Sequence, residues 1–319
     1  VSPAPPSRAE IVAAAQASIA RGSKSFAAAS QLFDRATRER AWLLYAWCRE
    51  CDDLADGQEA GHDAQPVADP AARLARIREL TDRALAGQWT GDAAFDALKI
   101  VAEETAMPHR FAHDLIEGFA LDAAGWFPRS EDDLLRYCYH VAGAVGCMMA
   151  VVMGVDPDDE ATLDRACDLG MAFQLANIAR DIEADDAIGR CYLPVEWLVE
   201  MDIPPGQHMK PPFRSRLVVC AKWLAEMAEA FEVSARGGTP KLGFRSAWAV
   251  LAAAGIYGDI AREVADRGAH AWDHRAGTGK ARKLMWIGRA FGQAMGRGRY
   301  RGVARPEGLW VRPRVAGEV

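Results

Sequence analysis

One stretch, Phe173 to Asp185 (FQLANIARDIEAD), restricts the chain more than any other. Read as helix, it places Asn177, Asp181 and Asp185 at i, i+4 and i+8, on one stripe. Arg180 lies at the edge of that stripe, and Leu175, Ile178 and Ile182 fall on another side, where they can pack. Oxygen ligands in a line on an otherwise apolar helix suit a hard cation such as Mg²⁺. Asp52-Asp53-Leu54-Ala55-Asp56 offers a second acidic face, with Asp52 and Asp56 one turn apart. Two such faces turned toward each other are expected to hold divalent ions, and through them a phosphate.

The pattern around these stretches is helical almost throughout. Ser7 to Ala20 is Ala-rich, with Ile11, Val12 and Ile19 to bury. Gly22-Ser23-Lys24-Ser25-Phe26 stops that helix and opens the next. The exposed N–H groups near Ser23 and Ser25 suit either an anion or an ordinary cap. Arg35 to Asp56 reads as a long helix with Trp42, Leu43, Trp47 and Leu54 on its apolar faces and Tyr45, Arg49, Asp52, Asp53 and Asp56 along a polar seam. Gly57 to Pro70 reads as loop. Ala71–Ala86, Asp92–Thr105 and Pro108 to about Asp122 read as amphipathic helices. Ser130 opens a helix that runs through Tyr137 into Val141–Met153, where Gly143, Ala144, Gly146 and Ala150 permit close approach of a neighbour.

Leu163–Asp185 is the central helix, ended by Gly189-Arg190-Cys191-Tyr192-Leu193-Pro194. Arg214–Ala235, Phe244–Val264 and Lys280–Met295 complete the set. No strand-rich region, dinucleotide fingerprint or repeat is found. The expectation is an all-α, single-domain bundle of about ten to twelve helices. Residues 1–6 read as a loose tail, 7–300 as the helical domain and 301–319 as a basic tail.

Composition removes several functions. The 319 residues carry a formal net charge of −6, against a nucleic-acid partner. Seven scattered cysteines make no disulfide framework, and Cys48-x-x-Cys51 has no partner pair for a zinc site. His109 and His113 stand at i, i+4 without a third ligand and read as structural. Val1–Ser7 lacks the pattern of a secretory leader, and the longest apolar run, Val141–Val155, is broken by glycines. A cytoplasmic location is expected. From Lys280 to Arg314 basic residues dominate and Glu307 is the only acid, which suits a solvated tail or contact with anionic lipid.

Acidic faces with apolar walls fit an allylic diphosphate that ionises with metal help. Arg49 and Arg180, with Lys24 and Arg190, are placed to neutralise phosphate. The segments 22–26, Tyr45 to Arg49, Asp52 to Asp56, Tyr137 to Gly143 and Gln174 to Asp185 followed by Gly189–Pro194 resemble the squalene and phytoene synthase family, most closely its bacterial phytoene-forming branch. The resemblance covers about residues 20 to 300.

It implies an isoprenoid-synthase bundle with a central apolar cavity. It also implies head-to-head joining of two geranylgeranyl diphosphates, through prephytoene diphosphate, to phytoene at the first committed step of carotenoid synthesis. By that similarity Asp52, Asp53, Asp56, Asn177, Asp181 and Asp185 hold Mg²⁺ or Mn²⁺. Ser23, Lys24, Ser25, Tyr45, Arg49, Gln174, Asn177, Arg180 and Tyr257 contact substrate, and Asp52, Asp56, Asp181, Tyr45, Arg49 and Arg180 act in catalysis.

Ala176 stands where many relatives have Thr. A reductive ending to squalene would need NADPH. The rival readings are a squalene or dehydrosqualene synthase using two farnesyl diphosphates and, in another class, a non-catalytic helical lipid-binding protein. A membrane surface and other carotenoid-pathway enzymes are the expected partners.

Overall fold

The computed structural model describes residues 5–56 and 69–314, and gives the backbone alone at Lys24, Ser25 and Asp56. Most of the expected loop Gly57–Pro70 therefore lies outside the described residues. Thirteen α-helices and no strand occur among those described. They group into two compact units, residues 1–124 with 147–159 and residues 125–146 with 160–319.

In the first unit, α1 (Arg8–Gly22) starts at a reciprocal cap. The Ser7 hydroxyl accepts from the Glu10 amide while the Glu10 carboxylate accepts from the Ser7 amide. A short α2 (Lys24–Ser30) follows, capped by Ser23, whose hydroxyl accepts from the Phe26 amide. The long helix α3 (Arg35–Asp56) has the bounds expected of it. It buries Trp42, Leu43, Leu44, Trp47 and Cys51, and packs on α1, α4 (Pro70–Leu85) and α5 (Ala93–Thr105). Indole groups inside this packing find partners: Trp42 Nε1 donates to Ser30 Oγ at 2.9 Å and Trp47 Nε1 to Thr81 Oγ1 at 3.3 Å. α6 (Arg110–Ala123) lies on α4. There His113 Nε2 meets Asp82 at 2.9 Å on the surface, a structural role.

The chain expected as one helix from Ser130 to Met153, whose residues up to 146 belong to the second unit, is divided. α7 (Glu131–Cys138) widens into one π turn, Tyr139–Gly143, before α8 (Ala144–Val152). The reason lies in its neighbour α9 (Glu160–Ala187), which is buried on most sides. A Cβ on Gly170 of α9 would stand 2.2 Å from the Ala142 carbonyl oxygen, and one on Gly146 would stand 2.3 Å from that of Ala166. The two backbones touch through glycines. Glu131–Val152 is long and apolar enough to cross a membrane, but 61% of its apolar window is buried inside the protein, against a core rather than lipid.

After α10 (Val195–Glu200), the helices α11 (Arg214–Ala235) and α12 (Phe244–Arg267) pack on α9, and α13 (Lys280–Met295) packs on α12. α11 and α13 begin and end where the sequence placed them.

The C-terminal segment differs from the solvated tail expected of it. Arg305 donates to both oxygens of Asp168, at 3.0 and 2.7 Å, and Asp168 also accepts from Ser234. Arg312, itself buried, is paired with Glu160 and Asp164, and Arg314 bridges the same two acids. These three bases serve as a strap across the N-terminal half of α9. Residues 315–319 lie outside the described residues. The sequence offered no partner for these arginines because the acids stand far back along the chain.

The contact at Gly170 is made by backbone, the Ala142 carbonyl and Gly143 Cα. Gly170→Val should lower stability by about 1–3 kcal/mol, since backbone atoms rather than flexible side chains block the added carbons. Gly288→Ala, in α13 where a Cβ meets nothing within 4 Å, should raise it by about 0.5–1 kcal/mol. Denaturant titration of both variants measures the contrast.

Candidate functional site

Each unit carries one acidic stripe, and each stripe has its own arginine. In the first unit Tyr45, Arg49, Asp52 and Asp53 follow one another along α3 and are all half-buried. Arg49 Nη1 donates to Asp52 at 2.5 Å and stands 3.9 Å from Asp53. Burial opposes the charge on Arg49, but Asp52, then Tyr45 and Asp53, favour it, and its pKa is raised on balance. The guanidinium lies 5.9 Å from the centre of the Tyr45 ring. The side chain of Asp56, and those of Lys24 and Ser25, lie outside the described residues.

Two polar atoms in this group, the Tyr45 hydroxyl and Arg49 Nε, are buried and make no well-aligned hydrogen bond among the described residues, although the Tyr45 oxygen approaches the guanidinium closely enough to favour its charge. Leaving such groups unpaired is costly. They face the junction of α1 and α2, where a Cβ on Gly22 would come 2.5 Å from the Tyr45 oxygen and 3.6 Å from Arg49 Nε. Beside them Ser23 caps the first turn of α2. A phenol O–H and a guanidinium N–H beside a glycine-lined helix junction make up a donor set chemically suited to phosphate oxygens.

In the second unit α9 brings Asn177, Asp181 and Asp185 to one half-buried stripe, as expected, while Ile178 and Ile182 are buried beside it. Both carboxylate oxygens of Asp181 accept from two guanidinium groups. Arg180 is bidentate to it through Nε, at 2.8 Å, and Nη2. Arg275 is bidentate at 2.9 and 3.0 Å. Burial alone would raise the Asp181 pKa, but the hydrogen bonds from Arg180 and Arg275 outweigh it and hold the pKa below the ordinary carboxylate range. Arg275 was not among the residues singled out from sequence. It lies in the connection between α12 and α13, which has no periodicity to read. Its anchors explain its position: Trp272 Nε1 donates to the Ala179 carbonyl at 3.0 Å and Thr278 Oγ1 to that of Ile256 at 2.7 Å.

Tyr257 of α12 stacks on Phe173 of α9, ring centres 4.1 Å apart, one residue from Gln174. The turn after α9 is fixed by Gly189 in the left-handed region, φ 77°, by the Arg190 amide donating back to the Asp185 carbonyl at 2.8 Å, and by Tyr192 stacked on Tyr137 at 4.8 Å. His208 Nε2 meets Asp186 at 3.3 Å, and burial lowers its pKa. The cysteines are all free, and burial pushes the Cys48 thiol up to about 12, which disfavours redox or zinc chemistry at Cys48-x-x-Cys51.

Among the described residues no three His, Cys, Asp or Glu side chains converge to enclose a metal ion. The donor set nonetheless fits Mg²⁺ or Mn²⁺. These ions are often held by one or two carboxylates with the remaining positions filled by water and phosphate. The guanidinium groups now paired with Asp52 and Asp181 occupy carboxylate oxygens that such an ion would need.

The phosphate-suited donor set in the first unit makes a direct prediction. Gly22→Ala should weaken binding of inorganic diphosphate about tenfold in calorimetry, because the new methyl displaces the Tyr45 hydroxyl. In a Tyr45→Phe background, where the blocking oxygen is gone, the same change should cost less than about threefold.

Comparison with known proteins identifies the family. The chain matches the squalene/phytoene synthase family over residues 19–284. A phytoene synthase of Pseudescherichia vulneris is 46% identical over 297 residues, covering 92% of this chain and 96% of the relative. A 15-cis-phytoene synthase of Pantoea ananas is 45% identical over 297 residues, again 92% and 96% of the two chains. A crystal structure of a dehydrosqualene synthase in complex with ligand superposes with a TM-score of 0.81 at 25% identity, covering 91% of this chain and 98% of that one. A squalene synthase from Alicyclobacillus acidocaldarius, at 23% identity and a TM-score of 0.72 over 82% of this chain and 95% of that one, shares the fold. With its all-helical architecture and its two arginine-paired acidic stripes, this chain belongs to the squalene/phytoene synthase family.

Proposed function

We propose that the chain joins two geranylgeranyl diphosphates head to head, through prephytoene diphosphate, to give phytoene, the first committed step of carotenoid synthesis. The observation that carries this reading is the pair of aspartate stripes, each bearing its own arginine, in a chain 43–46% identical to relatives named phytoene synthase. Residues 7–300 act as one catalytic domain in this reading, and both stripes serve one cycle. Asp52, Asp53 and Asp56 on α3 and Asn177, Asp181 and Asp185 on α9 would hold the divalent ions. When bound, these ions supply charge that stabilises departing diphosphate.

The protein's own groups do the rest. Arg49 and Arg180 now donate to Asp52 and Asp181. When diphosphate enters, each guanidinium is released to turn its two-pronged donor edge to phosphate oxygens. Arg275 is placed to do the same from the other side of Asp181. Tyr45, Ser23, Lys24 and Ser25 hold the phosphate end at the α1–α2 junction, while Gln174 and Tyr257 position the substrate near α9. Loss of diphosphate from one substrate leaves an allylic cation. The double bond of the second substrate attacks it, and loss of a proton closes a cyclopropane that keeps the second diphosphate. Loss of that diphosphate, rearrangement and loss of a second proton give phytoene. Two diphosphates and two protons leave in all. With one set of stripes for two departures, the cyclopropyl intermediate must re-engage the same residues.

The likeness to a dehydrosqualene synthase favours one rival, the same coupling of two farnesyl diphosphates. Long hydrocarbon substrates and products also place the work at a membrane surface, and other enzymes of the pathway are natural neighbours there.

Product analysis with twenty- and fifteen-carbon diphosphates separates the two chemistries: phytoene should dominate, and a preference for the shorter substrate would overturn the assignment. In the same assay Asp52→Asn and Asp181→Asn should each reduce turnover by more than 10³-fold with helical content unchanged. Turnover within tenfold of the parent, about 1.4 kcal/mol of barrier, would contradict a metal-holding role.

A further inference from the structure

The basic region from Lys280 to Arg314 divides into two parts with different roles. Arg305, Arg312 and Arg314 belong to the strap on α9 and are held in internal ion pairs. α13 and the short 3₁₀ turn after it, Arg297–Tyr300, are arranged differently.

α13 is attached by a narrow inner face. Trp286, Ala290 and Ala294 are buried, and Trp286 lies against Gly255 of α12, where a Cβ would come 2.2 Å from its ring. The outer face is apolar as well. Leu284, Met285, Phe291 and Met295 are 69%, 51%, 42% and 68% exposed. At about 100° per residue they share an arc of about 120° with Gly288 and Gly292, and this arc contains no charged residue. Above Gly288 and Gly292 a Cβ would meet no atom within 4 Å, so the stripe is open. Phe291 is supported from below, edge-on to Trp248 at 5.2 Å and to Phe244 at 5.4 Å, and Trp248 Nε1 donates to the Ile287 carbonyl at 2.8 Å.

Bases border the stripe on both sides. Lys280 follows one edge and Arg289 the other, next to Arg282, which is already paired with Asp259 and Glu263, while Lys283 falls on the inner face with Ala290 and Ala294. Arg289 and Arg299 also line an adjoining open cleft of about 470 Å³, where Arg289 lies over the Trp286 ring at 5.0 Å. The acids behind α13, Glu232, Asp259 and Glu263, are already in ion pairs with Arg236, Arg262, Arg267 and Arg282. No acid occurs in the sequence from Lys280 to Pro306. In a chain of net charge −6 this is a locally cationic, outwardly apolar surface.

An exposed apolar stripe between two rows of bases matches the cross-section of an anionic bilayer surface, acyl chains beneath a layer of phosphate. From this geometry we infer that α13 docks in the plane of an anionic membrane. Leu284, Phe291 and Met295 enter the acyl boundary, and Lys280 and Arg289, with Arg299 and Arg301, contact headgroup phosphate. This deepens, and rests on, the proposed membrane-surface role. It assigns the contact to α13 and withdraws it from the strap.

The test is co-sedimentation of the full chain with vesicles of phosphatidylcholine alone and with phosphatidylglycerol added. A Leu284→Glu/Met295→Glu double variant and a Lys280→Glu/Arg301→Glu double variant are run beside the parent, with circular dichroism and diphosphate release in detergent as controls. The parent should partition onto anionic vesicles at least tenfold more strongly than onto neutral ones. Each double variant should lose at least tenfold, with helical content and detergent activity retained. Parent and Leu284→Glu/Met295→Glu binding equally would overturn the inference and leave the membrane-surface role standing. No vesicle binding by the parent would overturn both. Concentration-dependent dimers of the parent without vesicles, dissolved by Leu284→Glu/Met295→Glu, would assign the stripe to a second copy of this chain and overturn it as well.

Discussion

A carboxylate set into an apolar helix wall is unfavourable unless a cation meets it. The rest of this molecule is arranged around that requirement. On α3, Arg49 lies one turn before Asp52 and covers its charge. On α9, Asp181 is held by Arg180 from its own helix and by Arg275 from the α12–α13 connection. At the other end of α9, Asp168 is nearly inaccessible, and its burial raises its pKa even though Arg305 and Ser234 bond to it. The same solution therefore serves two purposes. At Asp168 the pair fastens the C-terminal strap. At Asp52 and Asp181, less deeply buried, the proposed function requires the partner to be exchanged.

That contrast separates structure from chemistry along a single helix. The strap fixes the N-terminal half of α9, glycines fix its contact with the π turn, and the carboxylates that face solvent lie toward its C-terminal half. Arginine suits the exchangeable positions because its charge is permanent and its planar fork fits carboxylate and phosphate alike. The Tyr45 hydroxyl and Arg49 Nε, buried without a well-aligned hydrogen bond among the described residues, are donors that the proposed function uses.

Much of this was legible in the sequence where the signal is local. α3, α11 and α13 have the bounds that their periodicity gives. The i, i+4, i+8 spacing of Asn177, Asp181 and Asp185 survives as a real stripe. The parts that were not legible depend on distant partners. Arg275 reaches Asp181 across 94 residues, and Arg305 reaches Asp168 across 137. The π turn at Tyr139–Gly143 lies where glycines of its own segment and of α9 meet. The same holds for α13: its pattern shows amphipathicity, but only packing reveals that Trp286, Ala290 and Ala294 form the inner face and that Leu284 and Met295 look outward.

The central claim is that the aspartates exchange an arginine for a divalent ion that arrives with diphosphate. The most direct measurement is calorimetric binding of inorganic diphosphate in saturating Mg²⁺ and in EDTA, for the parent and for Asp181→Asn. Binding and metal are then linked, so Mg²⁺ should tighten diphosphate binding to the parent by at least about tenfold and do little for Asp181→Asn. Equal affinity with and without Mg²⁺ in the parent, or the same tightening in both proteins, would contradict it.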